Sequence, residues 1–192
     1  MQVITENILD IIENSGENDL INDLSAFSSP RNPEIEEFIR SKAIDFAKRK
    51  LSITYLVNDL SDGNILGYFT LTHKSIIISD VNLSSTTRKK LARYSRMDKV
   101  SGNYMASAFL LAQFGKNYSV DGGNRISGAE LMKFATDVLT NIQRQIGGGI
   151  VYLDCEDKPK LVSFYTDQNF KRFDDRFSSE DNQEYIQFMR FF

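Results

Sequence analysis

The segment that decides the fold is GKNYSVDGGNRISGAELM, residues Gly115–Met132, which joins an apolar run to a long helical pattern. The apolar run YMASAFLLAQFG, residues Tyr104–Gly115, has the length and the glycine boundary of a buried central strand. The helical pattern stops at Gly147–Gly149, and the strand pattern IVYLDC follows at Ile150–Cys155. The order strand, glycine loop, helix and strand predicts a βαβ unit. The apolar stripe of the helix consists of Leu131, Phe134, Ala135, Val138, Leu139, Ile142 and Ile146.

The loop before this helix is a candidate site for a phosphate group. The first turn of a helix has unpaired N–H groups and the positive end of the helix dipole, and both favour an anion. Gly122 and Gly123 permit backbone angles that other residues avoid, and Gly128 has no Cβ to keep a ligand away from the backbone. The loop therefore has the features of a pyrophosphate cradle.

A structural explanation competes with the phosphate interpretation, because Ser127 and Glu130 fit the S-x-x-E capping box. Such a box satisfies two of the same N–H groups with the protein's own side chains, and the charge of Glu130 would repel a phosphate. The segment has neither the G-x-G-x-x-G fingerprint nor the lysine of a P-loop. Taken alone, the loop leaves capping and phosphate binding equally open.

Residues 1–30 predict an N-terminal helical lead segment. A helical stripe runs through Val3–Asn14, and Ser15–Asp19 follows with the composition of a breaker. We predict that this segment belongs to a single domain spanning residues 1–192. The stripe consists of Ile4, Ile8, Ile11 and Ile12.

A second helix and a β-hairpin are predicted next. Asn32 can cap a helix whose first turn contains Pro33, and apolar residues at helical spacing continue to Ala47. The stretches Leu51–Asn58 and Ile65–Asp80 are rich in β-branched and aromatic residues, and the turn DLSDGN lies between them. This pattern predicts two antiparallel strands joined by a hairpin.

The composition is that of a folded, cytoplasmic protein. The chain has 192 residues, of which 41% are hydrophobic, including 14 Phe and 8 Tyr, so it can bury a substantial core. Its formal charge of -3 provides no overall positive field for a nucleic acid or an anionic membrane. The one cysteine cannot form an internal disulfide, and no stretch predicts a signal peptide or a membrane span.

Positive charge is concentrated between Arg88 and Lys99. A charge run of this kind usually forms a solvated helix or loop. It could also contact an anionic ligand, either a nucleotide cofactor or an RNA substrate. The six basic residues are Arg88, Lys89, Lys90, Arg93, Arg96 and Lys99.

The C-terminal third completes a recognisable order of elements. After IVYLDC comes KPKLVSFYTDQNFKRFDD, residues Lys158–Asp175, a short helical stretch followed by an aromatic strand start. Together with LLAQFGKN and GGNRISGAELM, these pieces resemble the GNAT superfamily of acyl-CoA-dependent N-acetyltransferases over roughly residues 34–192. The resemblance implies an α/β (α+β) fold with a GNAT-like mixed, mostly antiparallel central sheet flanked by helices. The loop departs from the family pattern Q/R-x-x-G-x-G/A in either alignment: Ile126 stands where the earlier glycine belongs when Gly128 is the last, and Glu130 replaces the final small residue when Arg125 is the first.

The resemblance assigns roles to particular residues. Backbone groups at the end of the apolar strand would pair with the pantetheine arm of acetyl-CoA, the co-substrate, and the loop amides would hold its pyrophosphate. Tyr165 matches the tyrosine that protonates the departing thiolate in many relatives, a role suited to a phenol because it is protonated at neutral pH. The strand residues are Gln113, Phe114, Gly115 and Lys116. The loop residues are Asn124, Arg125, Ile126, Ser127, Gly128 and Ala129.

Two other residues have weaker claims to a role. His73, the only histidine, has a suitable intrinsic pKa for a general base, but a lone strand histidine is more often structural or exposed. Cys155 follows a buried strand pattern, and a small core residue is the better interpretation than a nucleophile.

Two functional classes follow from the sequence. The first is an acetyltransferase that moves an acetyl group to a primary amine of a small molecule, a protein or an aminoacyl-tRNA. The stretches SFYTDQNF and FLLAQFGKN resemble the subgroup of GNAT toxins from toxin–antitoxin pairs that acetylate aminoacyl-tRNA. The net charge of -3 is a poor footprint for RNA. The second class is a non-catalytic binding or regulatory protein with a degenerate phosphate loop. No membrane partner is predicted, and the sequence leaves open a homodimer and an antitoxin partner.

Overall fold

The computed structural model describes residues 2–81, 83–179 and 181–192. Its strands are β1 (Val3–Asn7), β2 (Ile53–Asp59), β3 (Ile65–Ser79), β4 (Asn103–Lys116), β5 (Ile150–Glu156), β6 (Lys171–Ser178) and β7 (Gln183–Phe191). Its α-helices are α1 (Ile8–Ser15), α2 (Glu17–Ser25), α3 (Pro33–Glu37), α4 (Ala43–Lys48), α5 (Ser85–Leu91), α6 (Gly128–Ile146) and α7 (Pro159–Asp167). A π-helical turn, Phe38–Lys42, joins α3 to α4, and a 3₁₀ turn, Asp121–Gly123, precedes α6.

The strands form a seven-stranded sheet in the order β1-β2-β3-β4-β5-β7-β6. The pairs β1–β2, β2–β3, β5–β7 and β6–β7 are antiparallel, and β4–β5 is parallel. The predicted α/β (α+β) class, with a mixed, mostly antiparallel sheet flanked by helices, is therefore confirmed. Across the described ranges, none of the helices combines the length and apolar character needed to cross a membrane.

The first of two compact units comprises residues 2–72 and 111–139. Its core forms where the apolar faces of α1, α2 and the α3–α4 helical stretch pack on β2 and β3. Tyr68 is fully buried there, and its hydroxyl donates to the Ile35 carbonyl oxygen at 2.7 Å, so the one polar atom of the ring is satisfied. The largest buried side chains of this core include Phe27, Ile8, Leu20, Leu24, Ile39 and Leu56.

The predicted helix over Val3–Asn14 is wrong in its first half. Val3–Asn7 is a strand that pairs antiparallel with β2 over its whole length. The helix begins only at Ile8, where the Asn7 side chain accepts from the Leu9 N–H at 2.9 Å and caps it. β-Branched Val3, Ile4 and Thr5 fit a pleated strand, and pairing with β2 satisfies backbone groups that a short isolated helix would leave in water.

Other predicted elements are confirmed. The helical stretch after Asn32 begins with Pro33, and the Asn32 side chain accepts from the Ile35 N–H at 3.5 Å. The hairpin β2–β3 turns through Asp62 and Gly63, where Gly63 has a φ of 73°. The breaker predicted at residues 15–19 is confined to Gly16, which has a φ of 94° and separates α1 from α2.

The second unit comprises residues 73–110 and 140–192. Its core gathers Ile78, Leu91, Tyr104, Ile150 and Tyr152 with further apolar residues of β3, β4, β5, β6 and β7. Parallel pairing of β4 with β5 joins Phe109 to Val151 and Leu110 to Tyr152. Strand, loop, helix and parallel strand form the βαβ unit that the central segment predicts.

Candidate phosphate-binding loop and tyrosine

The loop between β4 and α6 turns through consecutive left-handed residues. Asp121, Gly122 and Gly123 have φ values of 48°, 61° and 74°. Glycine adopts such angles at little cost, whereas Asp121 does so under some strain. The two glycines thus have the conformational role that the sequence suggests, and they bring the chain round to the start of α6 at Gly128.

The capping box predicted at the start of α6 is present. The Glu130 carboxylate accepts from the Ser127 N–H at 2.8 Å and from its hydroxyl at 2.7 Å. In return, the Ser127 hydroxyl oxygen accepts from the Glu130 N–H at 3.1 Å. Hydrogen bonds from the Ser127 hydroxyl and N–H lower the pKa of the Glu130 carboxyl, so its negative charge is held at the helix start. Two amides of the loop are therefore occupied by the protein itself.

Four amides at this corner have no acceptor within the described ranges of the protein. The Asn124 N–H donates to the Asp121 carbonyl oxygen at 3.2 Å, and the Ser127 N–H is held by Glu130. The other four predicted loop residues have no such bond: Arg125, Ile126, Gly128 and Ala129. N–H groups of this kind at a helix start can bind a phosphate.

The Lys116 side chain binds two carbonyl groups of the loop. Its Nζ donates to the carbonyl oxygens of Gly123 at 2.6 Å and Ile126 at 3.0 Å, and it lies 5.5 Å from the centre of the Tyr118 ring. Sequence reasoning assigned only backbone groups to Lys116. The ammonium places a fixed positive charge in the loop and holds two of its peptide groups in position.

Arg125 ties the same loop to the β2–β3 hairpin. Its guanidinium pairs with Asp59 and, at 2.6 Å, with Asp62, and its Nε lies 3.9 Å from an oxygen of Asp121. The Asp59 side chain is only 1% exposed and that of Arg125 is 20% exposed. The hydrogen bond to Asp62 raises the pKa of Arg125 further, so the charge is permanent.

Asp59 is held on both of its oxygens. One oxygen accepts from the Ser61 N–H at 2.9 Å and the Ser61 hydroxyl at 2.7 Å, and the other is paired with Arg125. The bonds from Ser61, followed by the charge of Arg125, lower the pKa of the Asp59 carboxyl. Sequence reasoning missed this contact, because Asp59 stands 66 residues from Arg125 and only the sheet topology brings them together.

The last residues of β4, Gln113, Phe114, Gly115 and Lys116, are partly exposed. The backbone at Gly115 lies so close to Ile35 that a Cβ there would collide with its side chain. The strand is continued by buried Asn117, which accepts from the Ser28 N–H at 2.9 Å and donates to the Ile65 carbonyl oxygen at 2.8 Å. The end of β4 is therefore rigidly placed within the first unit.

Tyr165 lies in α7 and belongs to the second unit, whereas the other predicted site residues belong to the first. Its ring packs against Phe170 and Phe188, with ring centroids 5.9 and 6.2 Å apart. Burial, with a smaller contribution from Cys155, raises the pKa of the Tyr165 phenol well above its usual range. No residue in the described part of the chain accepts a hydrogen bond from its hydroxyl.

The two residues with weaker claims have ordinary surroundings. His73 is exposed, and its Nε2 lies 3.1 Å from the Ser107 hydroxyl oxygen. Cys155 is buried, its thiol donates to the Glu156 carbonyl oxygen at 3.1 Å, and burial raises its pKa to about 11. A thiol in this state is a poor nucleophile at neutral pH.

The basic run predicted between Arg88 and Lys99 lies at the surface of the second unit. Arg88 is the half-buried member, and its Nε pairs with Asp80 at 2.7 Å. Lys90 lies 5.7 Å from the centre of the Phe191 ring. The exposed members are Lys89, Lys90, Arg93, Arg96 and Lys99.

Comparison with known proteins gives a likeness to solved structures. No protein-family model matches the chain, and no curated protein matches it. A bacterial toxin matches with a TM-score of 0.67 at 16% identity, over 97% of this chain and 89% of the toxin. AtaT complexed with acetyl-methionyl-tRNAfMet matches with a TM-score of 0.65 at 16% identity, over 96% and 94%. The chain has a GNAT-like fold.

A third match of the GNAT-like fold is AtaTR bound with acetyl-CoA, with a TM-score of 0.61 at 15% identity. It covers 98% of this chain and 92% of that chain. The likeness is therefore one of the whole fold, from β1 to β7. It agrees with the order of strand, loop, helix and strand predicted around the central segment.

Proposed function

We propose that the protein is an acetyl-CoA-dependent N-acetyltransferase that moves the acetyl group to a primary amine by direct attack. The observation that carries this proposal is the set of four amides without a protein acceptor at the start of α6. They belong to the loop that the GNAT resemblance assigns to pyrophosphate, and the fold is shared with AtaTR bound with acetyl-CoA.

Binding of the co-substrate would use backbone groups more than side chains. The amides of Arg125, Ile126, Gly128 and Ala129 would donate to the pyrophosphate, helped by the dipole of α6. Asn124 and Ser127 would act indirectly, because their amides already hold the loop in shape. Backbone groups of residues 113–116 would pair with the pantetheine arm as an added strand pairs with an edge.

The chemistry would need one proton donor at the leaving sulfur. The amine nitrogen attacks the thioester carbonyl carbon, the C–S bond breaks, and the Tyr165 hydroxyl gives its proton to the departing thiolate. The attacking nitrogen releases its own proton to water, and a proton from water restores the Tyr165 phenol. A phenol is protonated at neutral pH, and burial, which raises the pKa of Tyr165, keeps it protonated in the free protein.

The acceptor class that we favour is an aminoacyl-tRNA. One structure with this fold is AtaT complexed with acetyl-methionyl-tRNAfMet, and the exposed basic cluster provides a local positive surface on a chain of net charge -3. Incubation with labelled acetyl-CoA and separate pools of small amines, lysate proteins and charged tRNA tests this choice. Label in the charged tRNA alone is the expected result, and label in another pool contradicts it.

A second candidate is a non-catalytic binding or regulatory protein that has this fold. The capping box favours it, because Glu130 puts a carboxylate at the proposed phosphate site. Calorimetric titration with acetyl-CoA separates the two candidates. We expect saturable binding; no heat of binding at millimolar ligand would remove the acetyltransferase proposal and leave the second candidate.

A further inference from the structure

The only arginine of the loop faces the hairpin instead of the open amides. Arg125 pairs with Asp59 and Asp62, both of which belong to the hairpin formed by β2 and β3. We infer that Arg125 is a positioning residue, which fixes the loop to the β2–β3 hairpin in the shape that aims its amides at the diphosphate of acetyl-CoA. The inference rests on the proposed function.

The contact has the properties of a permanent tie. Asp59 is almost fully buried, and Ser61 occupies the oxygen that Arg125 does not. Releasing Arg125 would leave a buried carboxylate without its counterion, which is strongly destabilising. The guanidinium also pairs with two carboxylates at once, and the planar fork of an arginine does this better than the ammonium of a lysine.

Charge balance around the loop argues against Arg125 as a direct phosphate ligand. The side chains gathered here carry four negative charges, from Asp59, Asp62, Asp121 and Glu130. They carry three positive charges, from Lys116, Arg125 and Arg31, whose guanidinium lies 6.0 Å from the centre of the Tyr118 ring. The sum is -1, so side-chain charge gives no net attraction for a diphosphate, and recognition depends on the geometry of the amides.

The Arg125–Asp59 ion pair lies next to the loop amides whose positions matter for the diphosphate. Lys116 binds the carbonyl groups of Gly123 and Ile126, and Arg125, which stands between those two residues in the sequence, pairs with Asp59. The amides of Arg125 and Ile126, which have no acceptor within the described ranges, are the nearest to the tie, and Ile126 itself is buried. Without the tie, the segment between the left-handed turn at residues 121–123 and the first turn of α6 would lose its link to the hairpin, and only Lys116 and the buried Ile126 side chain would still restrain it.

The variants Arg125→Gln and Asp59→Asn test the inference, with Arg49→Gln as the matched control. Arg49 also pairs with an aspartate, Asp45 at 3.1 Å, but this pair is exposed and lies on α4 and the residue that follows it. Acetyl-CoA affinity is measured by calorimetry, and backbone amide exchange in the free protein is measured residue by residue by NMR. Thermal unfolding shows which variants are folded at the assay temperature.

We expect Arg125→Gln and Asp59→Asn each to weaken acetyl-CoA binding about tenfold, and Arg49→Gln to leave it unchanged. Exchange should quicken most at the loop amides that the protein itself holds, Asn124 and Ser127, and less in the core strands β2 and β3, where it rises only with the overall loss of stability that thermal unfolding measures. Arg125→Lys should restore part of the affinity. A residue with a merely structural role would quicken exchange throughout its unit.

Three outcomes overturn the inference. Unchanged affinity in both variants would show that the tie does not position the amides. Tighter binding by Asp62→Asn would show that the acid sequesters an arginine which otherwise binds phosphate. Exchange that quickens to the same extent in β2, β3 and the loop would show a purely structural role. Absence of binding by the unmodified protein is a separate result, because it removes the proposed function together with the inference.

Discussion

At the scale of single residues, the Tyr165 hydroxyl has the clearest chemical prediction. We expect Tyr165→Phe to lower kcat about 100-fold, because the thiolate then leaves without a proton, and to leave the KM for acetyl-CoA nearly unchanged. Steady-state kinetics with the identified acceptor measures both. Tyr152→Phe is the matched control, since Tyr152 is also a buried phenol of the second unit whose pKa is raised by burial. Equal losses in the two variants would contradict the proton-donor role.

Glu130 allows the helix cap and the phosphate site to be separated. In Glu130→Gln the side-chain oxygen can still accept from the Ser127 N–H, but the negative charge is gone. We expect acetyl-CoA to bind about two- to threefold more tightly at low ionic strength, with the gain shrinking as salt is added. Calorimetry at two salt concentrations measures this. Weaker binding would mean that the carboxylate supports the ligand-binding shape of the loop.

At the scale of elements, two glycines with nearly equal backbone angles make a matched pair. Gly123 in the loop has a φ of 74° and Gly63 in the hairpin has a φ of 73°, but only a Cβ on Gly123 would meet another group, the Tyr118 ring at 2.9 Å. Both alanine variants should lose about 1 kcal/mol of unfolding free energy from the left-handed conformation. We expect Gly123→Ala to lose more in urea denaturation and also to bind acetyl-CoA less tightly. Equal losses would mean that the Tyr118 ring moves aside freely.

The elements also show what residue patterns could predict. Helical periodicity correctly predicted α6, and apolar runs bounded by glycine correctly predicted β4 and β5. Both patterns are local, because they depend only on residues within or next to the element. The strand β1 was missed because Ile4 and Ile8 happen to lie at helical spacing. Its partner, β2, begins 46 residues after β1 ends, so the pairing that decides its conformation is outside any local window.

At the scale of the whole molecule, buried phenols and the buried thiol predict sensitivity to alkali. Burial raises the pKa of Cys155 from its ordinary 9.0 to about 11 and that of Tyr152 from 10.0 to about 12. A group whose pKa is raised on folding stabilises the native state below its unfolded pKa, and the contribution is lost as pH rises through the folded pKa. We expect the free energy of unfolding to fall between pH 9 and 12. Urea denaturation across this range measures the fall, and Cys155→Ala should flatten its first part, between pH 9 and 11.

The candidate site was predictable from the sequence only in part. The turn glycines, the capping box and the helix start are local features, and each was readable from a few neighbouring residues. The ion pair between Arg125 and Asp59 was not predictable. The two residues are 66 positions apart, and nothing in the sequence around either one indicates that the loop and the hairpin are in contact. The role predicted for Tyr165 rests on a family resemblance. Its burial could not be read from the sequence, because burial depends on how α7 packs against the sheet.

The Arg125–Asp59 pair has an evolutionary consequence. Loss of Arg125 first would leave the buried Asp59 carboxylate without its counterion. Loss of Asp59 first would leave the Arg125 guanidinium without its buried partner. Related sequences should therefore inherit the two positions jointly, or exchange both for uncharged side chains. An alignment in which they vary independently would mean that selection does not act on the hairpin and the loop as one unit.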